Sequence, residues 1–360
     1  MAVEKSIDQQ IQEETSSKPL LNGADVEPTE EDMLNVSEEA IVIEMDDGGV
    51  EVDFDPESTE GMSGAKFGEN IAEILDEEVL QGIASDLMAQ YEEDKASRED
   101  WVTTYTDGLD LLGIKSEDRT TPFEGACGVT HPILSEATIR FVSQSMMEIF
   151  PASGPVKTKS VGKQTDEMTE QARRVQNYMN YLLTHEMTEY RSETEQLLFN
   201  LALAGSAFRK VYFDPHHQRP TSVFVPAEDL VVAYNTTDLT TSSRHTHVMQ
   251  KSDNFVKKLQ VSGFYRDVDL TEAIEGTSDV KTKYNELTGV TEVSENDLRT
   301  ILEVHCELDI EGYEDQNEDG EGTGIAVPYI VTIDEASDTI LSIRQNYSES
   351  DPLKQPIQHF

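Results

Sequence analysis

The sequence predicts an α+β fold preceded by an acidic tail, on three observations. Apolar residues recur at helical spacing from Glu69 to Ala204. Beyond Gly205 the period switches to two. Residues 1–60 carry 19 acidic residues against Lys5 and Lys18, with Phe54 their only aromatic. The first two observations segregate helices from strands along one chain. The third describes a segment too polar to offset its ordering entropy by burial, hence a solvated, largely disordered tail. The expected organisation is a tail over 1–65, a mainly helical region over 66–205, and an α+β region over 206–360.

Taken in order, the tail has one exception. In "EAIVIEMDDGGVEVDF", residues Ile41, Ile43, Val50, Val52 and Phe54 alternate around Asp47-Gly48-Gly49, the pattern of a short hairpin. A helix is expected over 69–91, where Ile71, Ile74, Leu75, Val79, Ile83, Leu87 and Tyr91 form one stripe. A second runs from Trp101 to Leu112, with Gly113 as its stop. Pro122, Gly125 and Gly128 mark irregular backbone, and Pro132 opens a helix that ends at Pro151. Leu134, Ala137, Phe141, Met146 and Phe150 are its candidate core residues. A further helix over 164–188 carries Met168, Ala172, Val175, Met179 and Leu182 along one stripe, and another spans Glu193 to Ala204. "SAFRKVYFDP" and "TSVFVP" read as a hairpin, and "RHTHVMQ" as a third strand. Ser252 caps a short helix closed by Gly263. "RTILEVHCELDI", "VPYIVTID" and "TILSIRQNY" complete a second β group, the last two joined by a turn at Asp334–Asp338.

Composition limits function. With 72 Asp+Glu against 27 Lys+Arg the formal net charge is −45, which repels phosphate and argues against a surface that grips nucleic acid. A protein that surrounds DNA without holding it remains compatible. No run of 18 apolar residues occurs, so no membrane partner is expected. The N-terminus lacks the apolar core of a secretory signal, and Cys127 and Cys306 suit a reducing compartment, so a cytoplasmic origin is expected.

Four constellations invite a chemical reading. Cys127 and His131 would need a fold that brings them together with a third, orienting group; a buried cysteine in a turn that delivers the helix 132–150 into the core is the simpler account. Asp214, His216 and His217 suggest a metal, but adjacent histidines on extended backbone point to opposite faces, which favours a polar hairpin tip. His305, Glu307 and Asp309 alternate onto one strand face, as a solvated sheet face would. Asp315, Asn317, Asp319 and Gly320 follow the start of a calcium loop, yet Ala326 stands where the bidentate glutamate belongs. No phosphate-binding glycine motif is present, so no ATP-driven motor is expected. No catalytic, cofactor-binding or metal-binding residue is assigned, and no cofactor.

The segments "RTTPFEGACGVTHPILSEATIRFVSQSMMEIFPASGPVK", "TEYRSETEQLLFNLALAGSAFRKVYFDP", "VPAEDLVVAYNTTDL" and "VPYIVTIDEASDTILSIRQNY" stand in this order within roughly residues 100 to 350. Together they resemble portal proteins, the head-to-tail connectors of tailed bacteriophages, with the short-tailed marine-phage branch the nearest in look. The resemblance implies the portal fold with a mixed β wing, and a dodecameric ring at one capsid vertex. The ring would pass double-stranded DNA during packaging and ejection, and meet terminase, capsid or scaffolding protein and tail adaptors. It implies no enzyme activity, assembly in the bacterial cytoplasm and residence in the virion. It also leads one to expect chain beyond "PLKQPIQHF" for the stem, clip and crown. The alternatives are a metal-dependent nuclease or hydrolase using the many carboxylates, and an acidic scaffolding or adaptor protein of the same particle.

Overall fold

The structure is a computed structural model describing residues 41–44, 50–53, 68–114, 121, 123–129, 131–159, 161–162, 165–214, 218–234, 236–272, 278–288, 298–310, 312–315, 322–348, 351 and 353–360. The chain divides into two compact units, 1–64 and 65–360. In the first, β1 (Ile41–Glu44) and β2 (Val50–Asp53) pair antiparallel, Ile41 opposite Asp53. The turn residues Asp47, Gly48 and Gly49 and the rest of the tail lie outside the described residues.

The second unit is mixed α+β. Its centre is a five-stranded antiparallel meander: β5 (Leu230–Val232), β6 (Arg244–Ser252), β7 (Leu298–Leu308), β8 (Val327–Asp334) and β9 (Thr339–Gln345), in that spatial order. The turn from β8 to β9 is the expected one, with Asp338 in the left-handed conformation (φ 50°) that aspartate tolerates. A separate hairpin pairs β3 (Phe208–Asp214) with β4 (Arg219–Val225).

One sheet face is apolar. Leu302, Val304 and Cys306 of β7 and Tyr329, Val331 and Ile333 of β8 pack against α1 (Glu77–Ser97), which contributes Leu80, Ala84, Leu87 and Tyr91. Here the expected helix over 69–91 is corrected. Residues 71–73 make a single tight turn, the helix starts at Glu77, and Leu80 and Ala84 are buried while Val79 and Ile83 are only half-buried. The cause is Asn70. Its amide donates to the Leu341 carbonyl (3.1 Å) while its oxygen accepts from Ile343 N (3.0 Å) and Ala72 N (3.2 Å). The side chain thus completes the outer edge of β9 and redirects the backbone before a second helix start. Asn70→Ala removes all three bonds and leaves buried backbone groups unpaired. A loss of about 1–3 kcal/mol in denaturant unfolding is expected, and a loss below measurement error would refute this role.

Helix α2 (Glu99–Asp110) packs Tyr105 and Leu109 on Val280 of α7 (Asp279–Thr288), and Trp101 Nε1 donates to the Ala204 carbonyl at 3.1 Å. That bond satisfies a carbonyl at the end of α5 (Tyr190–Ala204), which Gly205 closes in the left-handed conformation (φ 82°). Between α2 and α5 lie α3 (Ile133–Ile149) and α4 (Asp166–Tyr181), the latter running into a π-helical turn at Leu182–Glu186. The expected core stripe of α3 is also corrected. Thr138 and Val142 are the buried residues, whereas Ala137 and Phe141 are exposed, because α3 meets the unit along one flank only.

The other sheet face carries charge. Towards its β7 start it is covered by α6 (Asp253–Val261), capped by Ser252 as expected, with Val256, Tyr265, Ile301 and Leu341 forming a small core. There Arg299, 4% exposed, holds Asp334, which is fully buried, through two bonds of 2.9 and 3.0 Å. Its remaining nitrogens reach Asp253 at the start of α6 (3.0 Å) and the Thr271 carbonyl. Asp334 also accepts from Ser337 N (3.1 Å) and Oγ (2.6 Å). One guanidinium therefore ties α6, the loop after it and the β8–β9 turn to the sheet.

Candidate functional site

The structure does not bring Cys127 and His131 into a reactive pair. Both are exposed and no hydrogen bond joins them; the expected buried cysteine at 127 is therefore corrected. The His131 carbonyl accepts from Ile133 N (2.8 Å), so this residue serves the entry of α3 through its backbone. Cys306 is the buried thiol, and burial pushes its pKa up to about 12, which makes it inert packing against α1. Asp214 ends β3 opposite Arg219, while His216 and His217 lie outside the described residues. Asp315 spends its carboxylate on the Thr323 hydroxyl (2.7 Å) and Lys354 (3.4 Å); Asn317, Asp319 and Gly320 lie outside the described residues. Among the described residues no group of three or more His, Cys, Asp or Glu side chains is placed to hold a metal.

The third constellation is rearranged. Glu307 and Asp309 are exposed, but His305 is 5% exposed, so the solvated face expected for these three does not exist at His305. Strand pairing sets His245 opposite His305 and His247 opposite Glu303. The His245 and His305 rings stack at 4.5 Å between centroids, and His359 lies 5.5 Å from His305. Phe360 presents its ring edgewise to His245, His247 and His305, 5.5 Å from each. Glu303 accepts from Lys210 of β3 and meets His305 Nε2 at 3.0 Å. The cover is built from two distant segments. Lys210 comes from the β3–β4 hairpin, and 353–360 is bound by Val211 N to the His359 carbonyl (2.8 Å) and by Asn346 to Ile357.

Burial dominates the electrostatics of this layer. It lowers the His245 pKa to about 3 and that of His247 to about 4, with the neighbouring His305 and Lys210 adding to it respectively. His359 is lowered too, first by burial and then by His305 and Lys210. For Glu303 burial acts upward, but the His305 hydrogen bond and the Lys210 ammonium outweigh it and hold the carboxyl below its usual range. The δ nitrogens of His245 and His247 are buried with no hydrogen-bond partner among the described residues. Four of the chain's eight histidines, His245, His247, His305 and His359, therefore share one layer, His305 buried and the other three half-buried. Their only sequence signal is the spacing His245-x-His247 and Glu303-x-His305, which places each pair on one strand face without revealing that the two strands are neighbours.

Open clefts also mark the described surface, two of which lie beside the helices. A cavity of about 590 Å³ lies between the end of α1 and the loop before β6, lined by hydroxyls of Ser97, Thr236, Thr237 and Thr241, with Asp94 at its wall. Asp94 is held bidentate by Arg244 (2.7 and 2.8 Å), so it is not available as a base. A groove of about 400 Å³ runs between α3 and α5, lined by Ile139, Val142, Phe199 and Tyr284. Neither combines a nucleophile, a base and an oxyanion donor.

What the second unit exposes instead is apolar and aromatic surface. On α3, Ile133 (68%), Ile139 and Met147 (70%) face outward; on α4 no residue is buried, and Val175, Tyr178 (63%) and Tyr181 are exposed. Among the described residues no helix is long and apolar enough to cross a membrane. No family model and no curated protein matches the chain.

Proposed function

We propose that the chain is a portal subunit, a structural connector that assembles with copies of itself into a dodecameric ring around a channel for double-stranded DNA. In this reading it resides at a capsid vertex and docks terminase and tail proteins during packaging and ejection. The four ordered segments that resemble portal proteins motivate it. The structural observation that supports it is the unburied apolar face of α3 and α4, which suits subunit contact better than catalysis. The acidic balance fits a channel that must pass DNA without adhering to it.

The test is electron microscopy and light scattering on the purified protein. Closed rings with a central hole are expected. A monomer at all concentrations that cleaves DNA with magnesium would sink the reading and favour the nuclease alternative; a ring with a net-basic channel wall would overturn the sliding argument alone.

A further inference from the structure

Residues 353–360 return to the sheet after β9 and lie across its charged face as a strap. Few contacts hold it. The Asn346 carbonyl accepts from Ile357 N (2.9 Å), and the Asn346 side chain donates to the Ile357 carbonyl (3.2 Å) and meets His359 Nε2 (3.0 Å). Val211 N of β3 donates to the His359 carbonyl at 2.8 Å, and Lys354 pairs with Asp315 at 3.4 Å. Apolar anchorage is thin, because Leu353 and Ile357 are exposed and only the Phe360 ring is tucked, half-buried, among the histidines. Segments with so few buried contacts are the ones that open locally while the rest of a fold stays closed.

The surface under Phe360 is arranged for neutral imidazoles. The δ nitrogens of His245 and His247 have no hydrogen-bond partner among the described residues, so a second N–H on either ring would be a buried donor without an acceptor. His245 and His305 stack at 4.5 Å, a distance at which two imidazolium rings repel. The charged and titratable groups facing the rings are Lys251 on β6, Glu303 on β7, Lys210 and Tyr212 on β3, and His359 on the strap. Of these only Glu303 favours a positive ring, and it is already engaged by Lys210 and His305.

We infer that residues 353–360 are an acid-released strap: protons taken up by the histidines lift Phe360 and His359 off the sheet while the sheet itself stays folded. Release lets the rings reach water, which accepts from both N–H groups and screens the stacked pair. The direction follows from proton linkage. With the strap in place, burial holds His245 at about 3 and His247 at about 4, and lowers His359 as well. Uncovered rings return towards about 6.5. The released state therefore binds the extra protons, and it gains on the closed one as pH falls below about 6.5. Each uncovered ring multiplies the opening constant by up to about tenfold per pH unit in that window. The inference does not depend on the portal reading, since a single copy suffices.

Hydrogen exchange of the full chain tests this, read by mass spectrometry with fragmentation that resolves single amides and corrected for intrinsic rates. The Val211 and Ile357 amides report the strap, since each donates to one of its contacts, and the β8 amides report the sheet. Protection at Val211 and Ile357 should fall at least tenfold between pH 7 and pH 5. At each pH it should stay roughly a hundredfold or more below that of β8, because the strap opens without the sheet. His245→Asn/His247→Asn should flatten the fall. If that pair melts the unit at pH 7, His359→Asn on the strap gives the same reading with a smaller reduction. Three results would each overturn the inference: protection at Val211 and Ile357 that does not change with pH, strap and β8 amides equally protected, or a folded variant whose fall is as steep as the parent's.

Discussion

Arg299→Met is expected to cost about 3–5 kcal/mol, a large share of the roughly 5–15 kcal/mol by which native folds are stable. The substitution keeps the volume of the side chain but strands Asp334, a fully buried carboxylate, with only the Ser337 donors. It also releases the start of α6 and leaves the Thr271 carbonyl without its donor. Replacing both partners, Arg299→Met with Asp334→Leu, removes the uncompensated charge. The double variant should therefore be less damaged than the two single losses summed, by roughly 1–3 kcal/mol. It will not recover fully, because Ser337 N and the Thr271 carbonyl remain unpaired. Denaturant midpoints of the four proteins close the cycle. Additive losses, or a single variant within about 0.5 kcal/mol of the parent, would refute the claim that this pair clamps the sheet.

The second large effect is acid lability of the histidine layer. Unfolded histidine titrates near 6.5, whereas His245 and His247 titrate at about 3 and about 4 in the fold. Between those limits the unfolded chain binds the extra protons, so stability is complete above pH 6.5 and falls as pH drops toward 4. Two imidazoles set an upper slope of about 2.7 kcal/mol per pH unit, and His359, also lowered, acts the same way. Glu303 adds to the loss below its ordinary range, because its depressed pKa stabilises the fold only while it is ionised. The neighbouring Lys210 and Lys251 side chains oppose new positive charge on His247. Neutralising surface carboxylates works in the other direction by relieving the repulsion of a −45 chain, so the bare profile is ambiguous. The informative quantity is the difference between the parent and His245→Asn/His247→Asn, in which the background cancels. The parent should lose stability more steeply between pH 6.5 and 4.5. Parallel profiles would show that these rings do not titrate on unfolding.

Both effects sit on the sheet face that strand alternation alone misrepresents. In "RTILEVHCEL" the alternation correctly separates Leu302, Val304 and Cys306 from Arg299, Glu303 and His305. A polar set on one face normally means solvent. Here Lys210 arrives from 93 positions upstream and Phe360 from 55 downstream, and together they close the face. Helices α2 and α5, the Ser252 cap and the β8–β9 turn were legible, because capping, glycine stops and turn chemistry act over a few residues. The start of α1 was not, because Asn70 is positioned by a strand 271 residues away. The stripe on α4 was legible as a helix, yet its period implied a buried face that this unit does not supply.

The amino-acid order by itself determined the acidic balance, the change from helical to alternating period near Gly205, and the local starts and stops of most elements, since each of these depends on neighbours within a turn or two. Only the tertiary structure decided which polar residues are buried, which apolar ones stay exposed, and that Cys127 and His131 never meet. Burial is a property of what packs over a residue, and those covering segments come from parts of the chain whose approach no local pattern encodes.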